Sequence, residues 1–331
     1  PCALAVDCRL FEPMEFMQRN SDRISWTAMS EAELIHCDPI EADLIWFNKH
    51  LTDEAIQIAQ KAKAQGCVVF FDLDDWVLKY PLYSGVRLPQ KSVENFRKFM
   101  TLADEVTVAN ERLLLESRPF RNNVELVTNG FYLDKYWEKT TSPCSEQKKI
   151  VITNAGHLKL DVFKAEFFRM LDKFFDKFPD WSLDYYGEIP TELAGKRFIN
   201  HKGYYSYTMH KRMPLDGKYA FAITPLGGNE DEDSYLFHAC KNPVKYLDYA
   251  GLGIPGIYSR VPVYESCIET ERTGILVQNS FASWLSAMER LACNKTLRQT
   301  LRTNGFDDVK NNYHIRYSAT RMEKLMRKYF D

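Results

Sequence analysis

Residues Asn242–Ser259 read NPVKYLDYAGLGIPGIYS, and the fold turns on the direction in which this stretch is read. Asn242 is suited to cap a helix, and Pro243 suits a first helical position, where no backbone N–H is needed. The spacing predicts a helix to Tyr249 or Ala250, ended by Gly251 and Gly253 and barred from continuing by Pro255. The apolar IPGIYS that follows reads as a strand. Gly251, Gly253 and Gly256 match the spacing of a dinucleotide fingerprint, but that motif needs a strand before it and a helix after it. Here the order is reversed, so the dinucleotide reading fails. What remains is a helix whose first turn carries Lys245. Asp248 lies three residues on, on the same face, about 4.5 Å further along the axis. A helix N-terminus with a lysine suits a diphosphate, and an acid one turn deeper can accept from ribose hydroxyls. A plain surface Lys–Asp pair would have the same spacing.

Working outward, the alternation of strand and helix continues on both sides. ADLIWFN (42–48), CVVFFDL (67–73), DEVTVAN (104–110) and NVELVTNG (123–130) read as strands. Helices lie between them, the first with Thr52 as N-cap and Gly66 as stop. Residues 137–148 lose all apolar period and read as a linker. Alternation restarts at IVITNAG (150–156), and YYSYTMHKRM (204–213) reads as a helix. A helical tail from Phe281 to Tyr329 is expected to break near Gly305 and Tyr313. This order predicts two α/β domains with mostly parallel sheets and helices on both faces, joined by a linker and facing a cleft. At 331 residues, two domains is also the expectation from length. The boundaries fall at 1–140 and 149–312, with a C-terminal helix at 313–331 expected to pack back on the first domain.

The chain is 45% hydrophobic and 27% charged with a net charge of −2, which supports a large core and gives no electrostatic case for nucleic acid. There is no apolar run long enough to span a bilayer and no secretory signal pattern. Eight cysteines occur with no C-x-x-C pair, so reduced thiols in a cytoplasmic protein are expected and a zinc site is not.

The run FFDLDDW places Asp72, Asp74 and Asp75 at the carboxyl end of a strand. Three readings stand beside one another. A phosphatase nucleophile at Asp72 would want Thr or Val where Trp76 stands. A metal-binding Asp-x-Asp is the second. In the third, the acids form the lip of a sugar site. Asp72 and Asp75 can also simply cap the following turn. Asn48, Lys49 and His50 form the other strand-end group, after ADLIWF, with His50 a further candidate.

The segment from Pro243 to Tyr313 resembles the C-terminal half of GT-B nucleotide-sugar glycosyltransferases. It is most similar to glycosyltransferase family 4 and its bacterial polysaccharide-building members. The ITPL strand, KNPVKYLDYAGLGIP, TGILV and the closing LR…V…Y match in order, and ADEVTVANERL…VELVTNGFYLDKY resembles the approach to the hinge; the first 60 residues match weakly. The resemblance implies transfer of a sugar from a nucleoside diphosphate sugar to a hydroxyl of a saccharide or lipid-linked saccharide, with retention favoured. It implies an acceptor-binding N-terminal domain, a donor-binding C-terminal domain, and no cofactor or metal. It assigns Asn242 and Lys245 to the diphosphate, with basic Lys241 beside them, and Asp248 to the ribose. Gly156, His157 and Lys159 would form the glycine loop at the phosphates, His50 would meet the donor sugar, and in such an architecture one of Asp72, Asp74 and Asp75 would orient or deprotonate the acceptor hydroxyl. The family's first glutamate is replaced by Cys240, with NEDED (229–233) near enough to substitute or to be a solvated loop. That departure motivates a second reading, a non-catalytic nucleotide-sugar or glycan-binding module. The expected location is cytoplasmic, with peripheral contact at the inner membrane face compatible with a lipid-linked acceptor.

Overall fold

The computed structural model describes residues 6–81, 84–136, 147–153, 160, 163–203, 219–227 and 231–330. Two compact units emerge, and the chain passes between them more than once. One, here the N-terminal unit, is built from Ala5–Gly130, Cys240–Asn242 and Ile315–Asp331; the other, the C-terminal unit, from Phe131–Ala239 and Pro243–His314.

The N-terminal unit has a four-stranded parallel sheet in the order β1-β2-β3-β4: Leu44–Asn48, Val68–Leu73, Glu105–Val108 and Glu125–Leu126. Successive strand residues face opposite sides, and β2 shows what each side holds. Phe71 stacks on Phe99 with ring centroids 4.6 Å apart, on the side of the helix Gln90–Leu102. Phe70 joins Leu10, Met14, Met322 and Leu325 on the other, under the helices Glu12–Asn20 and Ile315–Phe330. The helix Asp53–Ala64 starts where the sequence predicts, with Thr52 Oγ1 accepting from Ala55 N at 3.1 Å.

The C-terminal unit has a six-stranded, all-parallel sheet in the order β10-β9-β8-β5-β6-β7. Its strands are β5 Lys149–Thr153, β6 Ser182–Tyr186, β7 Ile199–Gly203, β8 Phe221–Thr224, β9 Gly256–Ser259 and β10 Ile275–Val277. Ile150 and Ile152 point into a core with Phe167, Leu171, Trp284 and Met288. Thr153, on the opposite face, meets the helix Val244–Gly251 through Tyr249, with the hydroxyls 2.6 Å apart. No helix among the described residues is long and apolar enough to cross a membrane.

Several expectations need correction. Gly305 does not break the tail: it lies buried inside the helix Lys295–Asn312. A Cβ there would come within 3.1 Å of the Thr273 carbonyl and 3.3 Å of Ala250 Cβ, so the glycine serves close packing. The tail does break at Tyr313, as expected, between the helices Lys295–Asn312 and Ile315–Phe330, and it breaks also at Asn294, whose side chain caps the next helix by accepting from Leu297 N at 2.9 Å. The segment 123–130 pairs only over Glu125–Leu126. Asp231 and the acids after it do not form a loop throughout: Glu232–Ala239 is a helix whose Ser234 N donates to Asp231 Oδ1 at 2.8 Å. The helix expected at 204–213 lies outside the described residues.

Candidate functional site

The rejected dinucleotide motif is settled by packing. A helix does precede and a strand does follow. A Cβ on Gly251 would sit 2.6 Å from the ring of Phe131, and one on Gly256 would run into Tyr258. These glycines make room for aromatic rings.

The helix tip departs from expectation at Asn242. The helix begins at Val244 with Pro243 at the cap position and no side-chain cap bond. Asn242 instead donates from Nδ2 to the backbone carbonyl of Asp74 at 2.5 Å, and Lys241 Nζ lies 3.1 Å from Asp75 Oδ1. Asn110 holds this short segment in place. Its Oδ1 caps the helix Glu111–Ser117, and its Nδ2 donates to the carbonyls of Cys240 and Lys241 at 2.9 and 3.2 Å. Cys240 is buried, and burial pushes its thiol up to about 12. Lys241 and Asn242 are therefore grouped with the carboxylates of the N-terminal unit, whereas Lys245 belongs to the C-terminal unit. Lys245 Nζ donates to the carbonyl of Thr153, the last residue of β5. In parallel α/β sheets ligands bind beyond the carboxyl ends of strands, and Lys245 sits at one. Asp248, on the same helix, is buried, 6% exposed. Gly156, His157 and Lys159 lie outside the described residues.

The aspartates form one network at the ends of β1 and β2. Asp72 is fully buried and paired with Arg9, whose Nη2 approaches Asp72 Oδ1 to 2.6 Å. It also accepts from Thr107 Oγ1 at 2.6 Å and Asn48 Nδ2 at 2.8 Å. So enclosed, Asp72 offers no face to a phosphate ester, and the phosphatase reading has no nucleophile. Asp74 is buried and bound by Lys49 Nζ at 2.6 Å. Burial pushes the Asp74 carboxyl up, Lys49 pulls it down, and Asp75 and Asp72 push it up again; the net direction is up. Burial works against the charge of Lys49, but Asp74 and Asp75 overcome it and hold its ammonium above the usual range. Lys49 adopts φ 54°, in the left-handed region, which turns its side chain back toward the acids after the strand ends.

His50 is turned another way. Its Nε2 lies 3.6 Å from Glu31 Oε1 and its ring meets Phe47 edge-on at 5.6 Å. Burial lowers its pKa, so it is neutral at pH 7. Among the described residues no group of three or more His, Cys, Asp or Glu is placed to hold a metal ion. Sequence reasoning placed Asn48 and Lys49 at a strand end without giving them a role, and it missed Arg9 and Thr107. Arg9 carries no local signal, because it reaches Asp72 across 63 positions.

Two parallel sheets of this make-up, with helices on both faces, define a GT-B architecture. Compared by sequence, the chain matches no family model and no curated protein. Compared by structure, it is similar to sucrose-phosphate synthase from Thermosynechococcus elongatus, with a TM-score of 0.60 at 14% identity over 87% of this chain and 74% of that one. It is similar to HepE of Anabaena, solved with UDP and glucose, at 0.63 and 10% over 90% and 81%. The third is TarM, at 0.63 and 11%, where 87% of this chain spans only 55% of the other. At these identities the likeness is one of fold.

Proposed function

We propose that the chain is a glycosyltransferase resembling family 4. It moves a hexose-type residue, with retention, from a nucleoside diphosphate sugar to a hydroxyl of a saccharide or lipid-linked saccharide. The C-terminal unit holds the donor and the N-terminal unit the acceptor, in the cytoplasm and at the inner membrane face when the acceptor is lipid-linked. The observation that carries this reading is the position of Lys245, in the first turn of its helix and against the carboxyl end of β5. Negative charge develops on the departing diphosphate during transfer, and a lysine at a helix N-terminus stabilises it. Asp248, a turn deeper, accepts from the ribose hydroxyls. No metal is needed for this chemistry, and the carboxylates at the ends of β1 and β2 are paired with Arg9, Lys49 and Lys241. HepE, of similar fold, was solved with UDP and glucose, which makes UDP the first nucleotide to try.

Calorimetric titration with UDP tests the reading. Lys245→Ala is expected to weaken UDP binding about tenfold or more, the worth of one charge-assisted hydrogen bond. Undiminished affinity in Lys245→Ala combined with Asp248→Asn would sink the assignment. Cys240, a buried thiol where the resemblance expects an acid, favours the second reading of a binding module without catalysis. Slow release of UDP from UDP-glucose in the absence of acceptor distinguishes an enzyme from such a binder.

A further inference from the structure

We propose that Arg9 and Asp72 are positioning residues: a fully buried ion pair that, through Asn48, fixes Asp74 and Lys49 so that Asp75 is the carboxylate presented to an acceptor hydroxyl. The inference rests on the glycosyltransferase reading and reassigns roles within its acceptor side.

Asp72 has no capacity left for chemistry. Arg9 Nε lies 3.1 and 2.9 Å from its two oxygens and Nη2 lies 2.6 Å from Oδ1. Thr107 donates to the same Oδ1 and Asn48 to Oδ2. A carboxylate has about four lone-pair sites, and a base needs one of them open. Arg9 is itself anchored by Asn129 Oδ1 at 3.2 Å and by the carbonyl of Val127, which ties the Asp7–Phe11 turn to the sheet.

The consequence passes along the strand ends. Asn48 turns its amide nitrogen to both buried carboxylates, at 2.8 Å from Asp72 Oδ2 and 3.4 Å from Asp74 Oδ1. Lys49 N donates to the backbone carbonyl of Asp72 at 3.0 Å, and its ammonium reaches Asp74 at 2.6 Å and Asp75 at 3.4 Å. The side chains of Asp72, Asp74 and Asp75 are 0, 5 and 34% exposed. Only the third can meet a substrate. Two lysines flank it, Lys49 and Lys241. The groups facing Asp74 are Lys49, Asp75 and Asp72, and the charge of Asp72 is one of those that push its carboxyl up. Tyr80 feels Asp75 and Lys49 from the following loop.

The decisive experiment compares wild type, Arg9→Gln/Asp72→Asn and Asp75→Asn in the full chain. Aspartate carboxyl titrations by carbon-13 NMR, UDP affinity, and UDP release from UDP-glucose with water as acceptor are measured for each. The double variant replaces a buried ion pair with an amide pair. It is expected to bind UDP within about twofold of wild type and to move the Asp74 midpoint measurably toward acid. Its UDP release is expected to fall about tenfold, with the acidic limb of the pH profile shifted the same way. Asp75→Asn is expected to lose about a hundredfold or more, the usual worth of an acid–base group. A folded double variant as inactive as Asp75→Asn makes Asp72 a base and overturns the proposal. So does an unmoved Asp74 midpoint with unchanged release, which leaves the pair a structural staple. If the double variant does not fold, Arg9→Lys, which keeps both charges but loses the fork, is read by affinity and release alone: retained UDP affinity with release lowered several-fold supports the positioning role, and unchanged release overturns it. Wild type that fails to bind UDP overturns the glycosyltransferase reading, while the NMR titration still judges the positioning role.

Discussion

Lys49 shows how a single side chain sets the state of a neighbour. Its ammonium is the attraction that offsets burial and two like charges at Asp74. Lys49→Met is expected to destabilise the chain by about 3–5 kcal/mol at pH 7.5, because it strands a buried carboxylate. The sign of the pH dependence follows from the direction of the Asp74 shift. An acid whose folded pKa is raised above its ordinary 3.8 favours folding at low pH. That contribution fades as pH rises through the folded value. Without Lys49 the folded value climbs further, so the loss should be much smaller at pH 5 than at pH 7.5. Urea melts at the two pH values check this, and an equal loss at both would contradict it.

At the scale of elements, glycines and aromatic rings set how closely helices approach. Gly251→Ala places a methyl 2.6 Å from the ring of Phe131, itself completely buried. Overpacking of this kind costs about 1–3 kcal/mol, to be read as a lowered melting temperature. The helix Ile315–Phe330 is held by its apolar face and by ion pairs of Arg321 and Lys328 with Glu105 and Glu125. Its buried Met322 and Leu325 are worth about 1.5–3 kcal/mol each. Deleting residues 315–331 should therefore expose Leu10, Met14 and Met17, with increased binding of a hydrophobic dye as the readout. Most of these elements were legible. The period of IVIT and of FFRMLDKFF reflects burial on one or both faces, which is what a sequence records best. The edge strand Ile199–Gly203 was not, because INHKG is exposed over its middle and carries no apolar alternation. The break at Asn294 was masked because Gly305 looked the stronger breaker. Only the three-dimensional approach of Thr273 and Ala250 explains a glycine inside that helix.

For the whole molecule, a separate hydrophobic core in each unit predicts two cooperative transitions. The larger cluster lies entirely within the C-terminal unit and the Leu10–Leu325 cluster within the N-terminal unit. Thermal unfolding should depart from two-state behaviour, with a calorimetric enthalpy exceeding the van't Hoff value. Saturating UDP should raise the C-terminal unit's transition alone; one sharp transition that shifts as a whole would refute this. Here the candidate site was half legible. The place of Lys245 in the first turn of a helix was legible from spacing. The tie of Asn242 to Asp74 and of Arg9 to Asp72 joins residues far apart in the chain, for which a lone sequence gives no signal.

The helix Ile315–Phe330 closes the same core that Leu10, Met14 and Met17 open. During synthesis on the ribosome, the first unit to emerge is thus the last that can be completed. Domains commonly fold in the order they are made. In this chain the C-terminal unit has all its strands outside the exit tunnel while the earlier half still waits for its lid, a natural point for chaperone contact.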